Sequence, residues 1–276
     1  MFERQRLQTE RMPEDLHYRL KDADTGEVVA VAEPVAVGET ERASGFKRFL
    51  GTLPPPLGHL PVVSQHAPRI TLRVADAQGA TVLFVDRAPK ILGHPYPTQH
   101  AFLDARGTVL GALVPADFSL SQIRDGRVDA DGMTVIEERA HLRAPDRAVL
   151  AVISVRLATT EQGRQAIQRS DCELARYTGA DGTLWARTLG LASLHEINPG
   201  LPPAYRALFI GAMFAGRLDE RISGILDPES GTPAERRPVG EPYPGYALLH
   251  DFHAREQEEW IEKYKKERNR VGRGLG

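Results

Sequence analysis

The sequence predicts a mainly β protein: a closed antiparallel β-barrel around a central hydrophobic α-helix, with a helical extension at the C-terminal end. Three observations predict it. Short β-prone runs joined by Asp/Gly turns recur through the first two thirds of the chain. A long β-branched run, Arg147 to Leu157, adds a further strand. A decade of residues after Pro203 carries no polar side chain at all. Many short antiparallel strands leave unpaired edges, and closure into a barrel removes them.

Five hairpin units come in order. Tyr18-Arg19-Leu20 leads through Asp22 to Gly26 into Glu27 to Val31, and Ile70 to Val74 leads through Asp76 to Gly79 into Thr81 to Val85. Ala101-Phe102-Leu103 leads through Asp104 to Gly107 into Thr108 to Val114. Asp131-Gly132 precedes Met133 to Ile136, and Leu174 to Tyr177 leads through Gly179 to Gly182 into Thr183-Leu184-Trp185. Aspartate caps the turn backbone and glycine supplies the positive φ of a tight hairpin. The irregular spacing excludes a solenoid or propeller of fixed period. The proline-rich connector Phe46 to Pro68 interrupts the series and is expected to pack against the fold; Lys47 and Arg48, beside Phe46 and Phe49, make it a candidate contact with anionic lipid.

Pro202-Pro203 opens the helix, since proline is tolerated in a first turn. From Ala207 to Gly216 no residue is polar, and Arg206 and Arg217 bracket the run. A helix apolar on every side must be buried on every side or lie in lipid. Ten residues rise only about 15 Å, half a bilayer core, so the reading is a buried central helix near 203–219. Ala207, Gly211 and Ala215 form a narrow face that a surrounding wall can approach, as do Leu208, Ala212 and Gly216; Leu208, Phe209, Ile210, Met213 and Phe214 fill the wider space.

Charge and cysteine usage narrow the function classes. Among 276 residues, 35 are Lys or Arg and 37 Asp or Glu, which excludes a globally basic nucleic-acid binder. The excess of arginine over lysine points to a GC-rich bacterial coding bias. Cys172 is the single cysteine, so there is no intrachain disulfide and no cysteine zinc cluster; it reads as a small core residue. The longest stretch free of Asp, Glu, Lys and Arg, Phe49 to Pro68, is broken by prolines, so no transmembrane helix is expected. The first residues lack the apolar core of a secretion signal, and the expected location is the cytoplasm, peripheral to a membrane where one is met. Asp125 to Gly132 has three acids but lacks the spacing and terminal glutamate of a calcium loop, so a hairpin turn is the better account. His94 and His100, with Asp104 nearby, sit in a proline-stiffened loop whose spacing fits no helical metal face, and His59, His66, His141 and His195 have no carboxylate partners at informative spacing. No nucleophile-elbow, phosphate-loop or dinucleotide motif occurs. The expectation is a non-enzyme with no catalytic residue, metal or cofactor.

The chain resembles the tubby C-terminal-like superfamily, in particular its phospholipid scramblase and LURP-one-related branches, as a bacterial member. The likeness is carried by Ile70 to Leu83, by Phe102 to Gly111 and by Arg206-Ala207-Leu208-Phe209-Ile210-Gly211-Ala212-Met213-Phe214, in that order. It spans roughly residues 15 to 220 and implies about twelve strands around the central helix, in a domain of residues 1–226, and a lipid-binding or membrane-associated role. The proline-rich leader, cysteine cluster and acidic calcium stretch of scramblases are missing, which argues against calcium-dependent scrambling.

Residues 227–245 read as a Pro/Gly-rich linker and 246–276 as a charged helix and tail. Glu256, Glu258, Glu259 and Glu262 come first; Lys263, Lys265, Lys266, Arg268 and Arg270 come last, matching the helix dipole. Residues 263–276 hold six bases against one acid, Glu267. Those bases are the candidate contact with an anionic membrane surface or a protein partner. Two functions follow: a barrel that binds lipid or a membrane-associated partner, or an interaction scaffold that works through its C-terminal helix. An enzyme using the histidine loop ranks third.

Overall fold

The computed structural model describes residues 3–13, 16–37, 66–67, 69–88, 90–91, 98–116, 126–190, 194–225 and 262; for 36–37, 66–67, 90–91 and 220–225 it describes the backbone. The strands run in chain order as β1 (Arg6–Arg11), β2 (Tyr18–Asp22), β3 (Val28–Val37), β4 (His66–Ala67), β5 (Ile70–Asp76), β6 (Thr81–Arg87), β7 (Lys90–Ile91), β8 (His100–Asp104), β9 (Val109–Pro115), β10 (Arg127–Val128), β11 (Thr134–Arg143) and β12 (Val149–Leu157). Helix α1 (Glu161–Ala166) precedes β13 (Glu173–Gly179), β14 (Leu184–Leu189), β15 (Leu194–Ile197) and helix α2 (Pro203–Ile225).

The expected hairpin chemistry is present turn by turn. Asp76 Oδ1 accepts the backbone N–H groups of Gln78 and Ala80 at 3.0 and 2.9 Å. Asp104 does the same for Arg106 and Thr108, and Asp129 for Asp131 and Met133. Gly79, Gly107 and Gly132 then take φ of 82°, 84° and 76° in the left-handed region. The acidic stretch before β11 is thus a hairpin turn.

Thirteen strands form one sheet in the order β10-β11-β12-β13-β14-β15-β1-β2-β3-β5-β6-β8-β9, and β9 pairs again with β11. That last pairing, Ala140 opposite Pro115 through Arg143 opposite Ala112, closes twelve of the strands into an antiparallel barrel. Strand β10 is left as a short flap on the first half of β11, and β4 pairs separately with β7. Pro34 of β3 falls at a register shift against β5, where a missing N–H costs the ladder least. Between Ile136 and Ala140, β11 bulges against β12.

One large buried cluster joins residues of these strands to α2. Leu7, Leu20, Leu72, Leu83, Phe102, Leu142, Ile153 and Tyr177 belong to one buried cluster with Leu208, Phe209, Ile210, Met213 and Phe214 of α2. Every residue of α2 from 206 to 215 is buried, so all sides of the helix are covered over nearly three turns. Its contacts reach widely separated strands. Phe209 meets Tyr177 of β13 edge-on at 4.7 Å, Phe214 meets Tyr18 of β2 at 6.4 Å, and Gly211 lies against the ring of Phe102 in β8. The helix outlasts the expected 203–219 by a turn and a half, and Gly216 is exposed with nothing within 4 Å of its absent side chain, so the Leu208-Ala212-Gly216 face is closed at its first two positions only. A smaller cluster, Phe84, Ala101 and Leu103, occupies the opposite face of β6 and β8.

Candidate functional site

Three polar stations hold α2. At its start, Arg206 is 4% exposed and donates to the carbonyls of Leu201, Asn198, Pro199 and Arg4 at 2.8–3.1 Å. An always-charged guanidinium is tolerated there because backbone oxygens surround it. Midway, Arg217 Nε donates to Thr9 Oγ1 at 3.0 Å, and the same hydroxyl lies 3.3 Å from His195 Nε2. The other ring nitrogen, Nδ1, is 3.0 Å from Thr188 Oγ1. Both ring nitrogens therefore face threonine hydroxyls, each able to donate or accept, so either neutral tautomer is satisfied. Burial, reinforced by the charge of Arg217, pushes His195 down to about 3, so the ring is neutral.

Near the other end, Arg87 of β6 and His100 of β8 are register partners facing Asp219 of α2. Arg87 Nε donates to Asp219 Oδ1 at 2.9 Å and His100 Nε2 lies 3.3 Å from the same oxygen. Burial works against the Asp219 charge, but His100 and Arg87 outweigh it and hold the carboxyl down to about 2. Burial draws the nearby Arg139 guanidinium below its ordinary value, with Asp219 opposing.

A groove of about 360 Å³ lies on the outer wall over β11, β12 and β13, flanked by β10. Ala151 and Ile153 of β12 face the core, so Ser154 and Arg156 face outward, and the groove is lined by Arg127, Asp129, Val135, Glu137, Ser154, Arg156, Glu173, Ala175 and Arg176. Its charged wall is rigidly built. Arg156 donates to Asp129 Oδ2 and Asp131 Oδ2, both at 2.7 Å, and to the Glu173 carbonyl at 2.9 Å. Burial works against the Arg156 charge, and Asp131 and Asp129 more than offset it. Arg176 grips both oxygens of Glu173 at 2.8 and 3.0 Å, and Arg169 takes the free oxygen of Asp131 at 2.9 Å. Helix α1 clamps the turn behind this network: Thr160 Oγ1 donates to the Gly132 carbonyl at 2.7 Å and Gln162 Nε2 to the Ala130 carbonyl at 2.8 Å.

The predicted residues fare unequally. Leu208, Phe209, Ile210, Met213 and Phe214 come together in the main core, and Ala207 and Gly211 are buried on the same helix. Lys47, Arg48, Lys263, Lys265, Lys266, Arg268 and Arg270 lie outside the described residues, as do His59, His94 and the acids of the extension other than Glu262. Asp104 is no partner for His100: it caps its own turn at the far end of β8, and the carboxylate beside His100 is Asp219. His141 does have an acid, pairing with Glu138 three residues earlier. Cys172 packs with Met133 and Ala166, and burial raises its thiol. Among the described residues no three His, Cys, Asp or Glu side chains gather as a metal site, and no helix is long and apolar enough to cross a membrane. The residues that sequence reasoning missed are Arg206, Asp219 and the Arg156 network; the arginines at 127, 156, 169 and 176 carry no local signature. No family model, curated protein or solved structure matches the chain.

Proposed function

We propose that the chain is a non-enzymatic binding barrel of the tubby-like kind, with α2 as its central plug and recognition carried out on its outside. One observation supports the reading above others: the helix is covered on all sides over residues 206–215 and touches β2, β8 and β13, strands spread around the ring. An interior filled in this way leaves the outer wall and the connecting segments as the places where a partner is met. The partner is an anionic lipid surface, engaged by the bases Lys263, Lys265, Lys266, Arg268 and Arg270 with Lys47 and Arg48 as a second contact. Clustered bases draw such a surface at close range and are screened by salt.

Vesicle co-sedimentation of the full chain tests this. Recovery with phosphatidylserine-containing vesicles exceeds recovery with phosphatidylcholine alone, falls as salt rises, and drops when Lys263, Lys265 and Lys266 are replaced by Gln. Equal recovery on both vesicle types, unchanged by the triple replacement, overturns the reading. Retention of a protein partner that the triple variant no longer holds, with no vesicle binding, assigns the tail to a scaffold instead.

A further inference from the structure

Four strands of the ring are buried on their outer side as well. The register places Thr71 of β5 opposite Asp86 of β6, Asp86 opposite Ala101 of β8, and Ala101 opposite Ala112 of β9. This row points away from α2, because the alternate residues Leu72, Val85 and Phe102 share the main cluster with that helix. The outward side of an antiparallel wall is ordinarily polar and wet, as it is on this ring at Arg6, Glu10 and Arg187. Here all four residues are at most 2% exposed, and Phe84 and Leu103 beside them are buried too. Even charge is enclosed: the Asp86 carboxylate accepts from Arg69 Nε and Nη2 at 3.0 Å and from Thr71 Oγ1 at 2.8 Å, and both ions are buried. Strands buried on both faces need a second layer. The burial arises within one chain, so the layer belongs to this chain. Among the described residues, the elements packed on β5, β6, β8 and β9 are their sheet neighbours and α2, which lies on the other side.

We propose that this layer is the C-terminal segment 246–270, folded back as an amphipathic helix with Leu249, Phe252, Trp260 and Tyr264 against the wall. In a helix those four residues fall within about 120° of one another. Glu262 is helical and exposed; Trp260 and Tyr264 are each two residues from it, about 200° around the helix, on the side away from that open one. Thr71, Ala101 and Ala112 are small and make a shallow bed for large rings, and Arg69 and Asp86 neutralise each other, so the bed suits an apolar stripe. The single acid on the stripe, Glu256, has a counter-ion at the end of the row: Arg143 follows Ala112 across β11, and its Nε is buried without a hydrogen-bond partner. The connection is short. Asp219 fixes the later part of α2 to Arg87 and His100 of the same strands, and the linker 226–245 reaches any point of a face about 15 Å across. Lys265 and Lys266, three and four residues after Glu262, share its open side, so the docked helix keeps bases turned outward.

Photocrosslinking in the full chain tests the proposal. With benzoylphenylalanine in place of Trp260, crosslinks are expected within the chain to β5, β6, β8 or β9. They persist when Lys263, Lys265 and Lys266 are replaced by Gln, which separates this docking from the vesicle binding proposed above. Ala101→Glu sets a charge on the outward face and abolishes them, whereas Ala101→Ser keeps them. A second readout does not alter the barrel's outer face. In the Trp185→Phe chain, Trp260 emission is expected to be blue-shifted and shielded from acrylamide, and Phe252→Ser, outside the barrel, moves it to the position of free tryptophan. Crosslinks found only elsewhere, on residues 38–65, on another wall or between two chains, overturn the proposal. So does Trp260 emission already at the free position in the Trp185→Phe chain.

Discussion

At the scale of single residues, His195 shows how far packing can move a group from its sequence value. An ordinary histidine gains its proton near pH 6.5, whereas His195 is held down to about 3. Between those two values the unfolded chain binds a proton that the folded chain refuses. Stability is therefore complete above pH 6.5 and declines as pH falls from 6.5 toward 3. Asp219 adds a second loss, below 3.8 and down to about 2, as its carboxylate is neutralised. Thermal melts from pH 7 to pH 4.5 are expected to show a falling midpoint. His195→Gln, which retains hydrogen-bonding capacity toward Thr9 and Thr188, flattens that slope while lowering the midpoint at pH 7. A slope unchanged in the variant would sink the assignment.

The turns were legible in the sequence because their chemistry is local: Asp76, Asp104 and Asp129 reach backbone two and four residues on, and the glycines that follow take the left-handed φ. Gly79 has open space around it, so Gly79→Ala meets only backbone strain and should cost about 1 kcal/mol by denaturant unfolding. The hairpin between β11 and β12 places Arg147 at φ 73° in the equivalent role. Arg147→Gly is expected to stabilise by up to about 1 kcal/mol. Opposite signs for the two replacements are the test; a destabilised Arg147→Gly would mean its side chain outweighs the strain.

At the scale of elements, α2 was legible because its composition admits few environments, but its polar anchors were not. Arg206 reads as a flanking charge, yet it closes the β15–α2 connection by collecting four carbonyls, one of them from Arg4 about two hundred residues away. Asp219 reads as the polar end of the helix, yet it joins Arg87 and His100 across more than a hundred residues. Such pairings depend on which strands the ring brings together, and no short-range pattern encodes them. Strands β1 and β15 escaped notice for a related reason. Arg6–Arg11 buries only Leu7 and Thr9, and its pairing with Leu194–Ile197 joins opposite ends of the barrel sequence. The small-residue face of α2 gives a direct packing test. A Cβ at Gly211 would sit 2.6 Å from Phe102 Cδ1, closer than real carbon contacts allow, so the helix and β8 must separate or the ring must turn. Gly211→Ala is expected to cost about 1–3 kcal/mol by overpacking. Phe102→Leu in the same chain should return part of that loss, and strict additivity of the two changes would argue that helix and strand do not press on each other there.

At the scale of the whole molecule, closure and filling depend on one another. The β9–β11 seam closes the ring, but a ring of twelve strands encloses space that strand side chains alone must otherwise fill. The inward residues include small ones, Ala30, Ala32, Ala140, Ala151 and Ala186, which suit a wall built against another element. The bulky α2 residues Leu208, Phe209, Ile210, Met213, Phe214 and Leu218 are all between 0% and 4% exposed. If α2 is the plug we propose, a chain ending before Pro203 retains the hairpins and their local turns but loses fixed packing. It should keep strand-type far-ultraviolet dichroism, lose the near-ultraviolet signal of Tyr177 and Trp185, and bind hydrophobic dyes, as a compact state without tertiary order does. A chain ending after Ile225 keeps all three polar stations of the helix and should melt cooperatively. Adding a peptide of residues 203–225 to the short chain should restore the near-ultraviolet signal, because the same apolar surface is buried whether or not the connection to β15 is covalent. A short chain that melts as sharply as the longer one would mean that the strands fill their own interior and that α2 only decorates it.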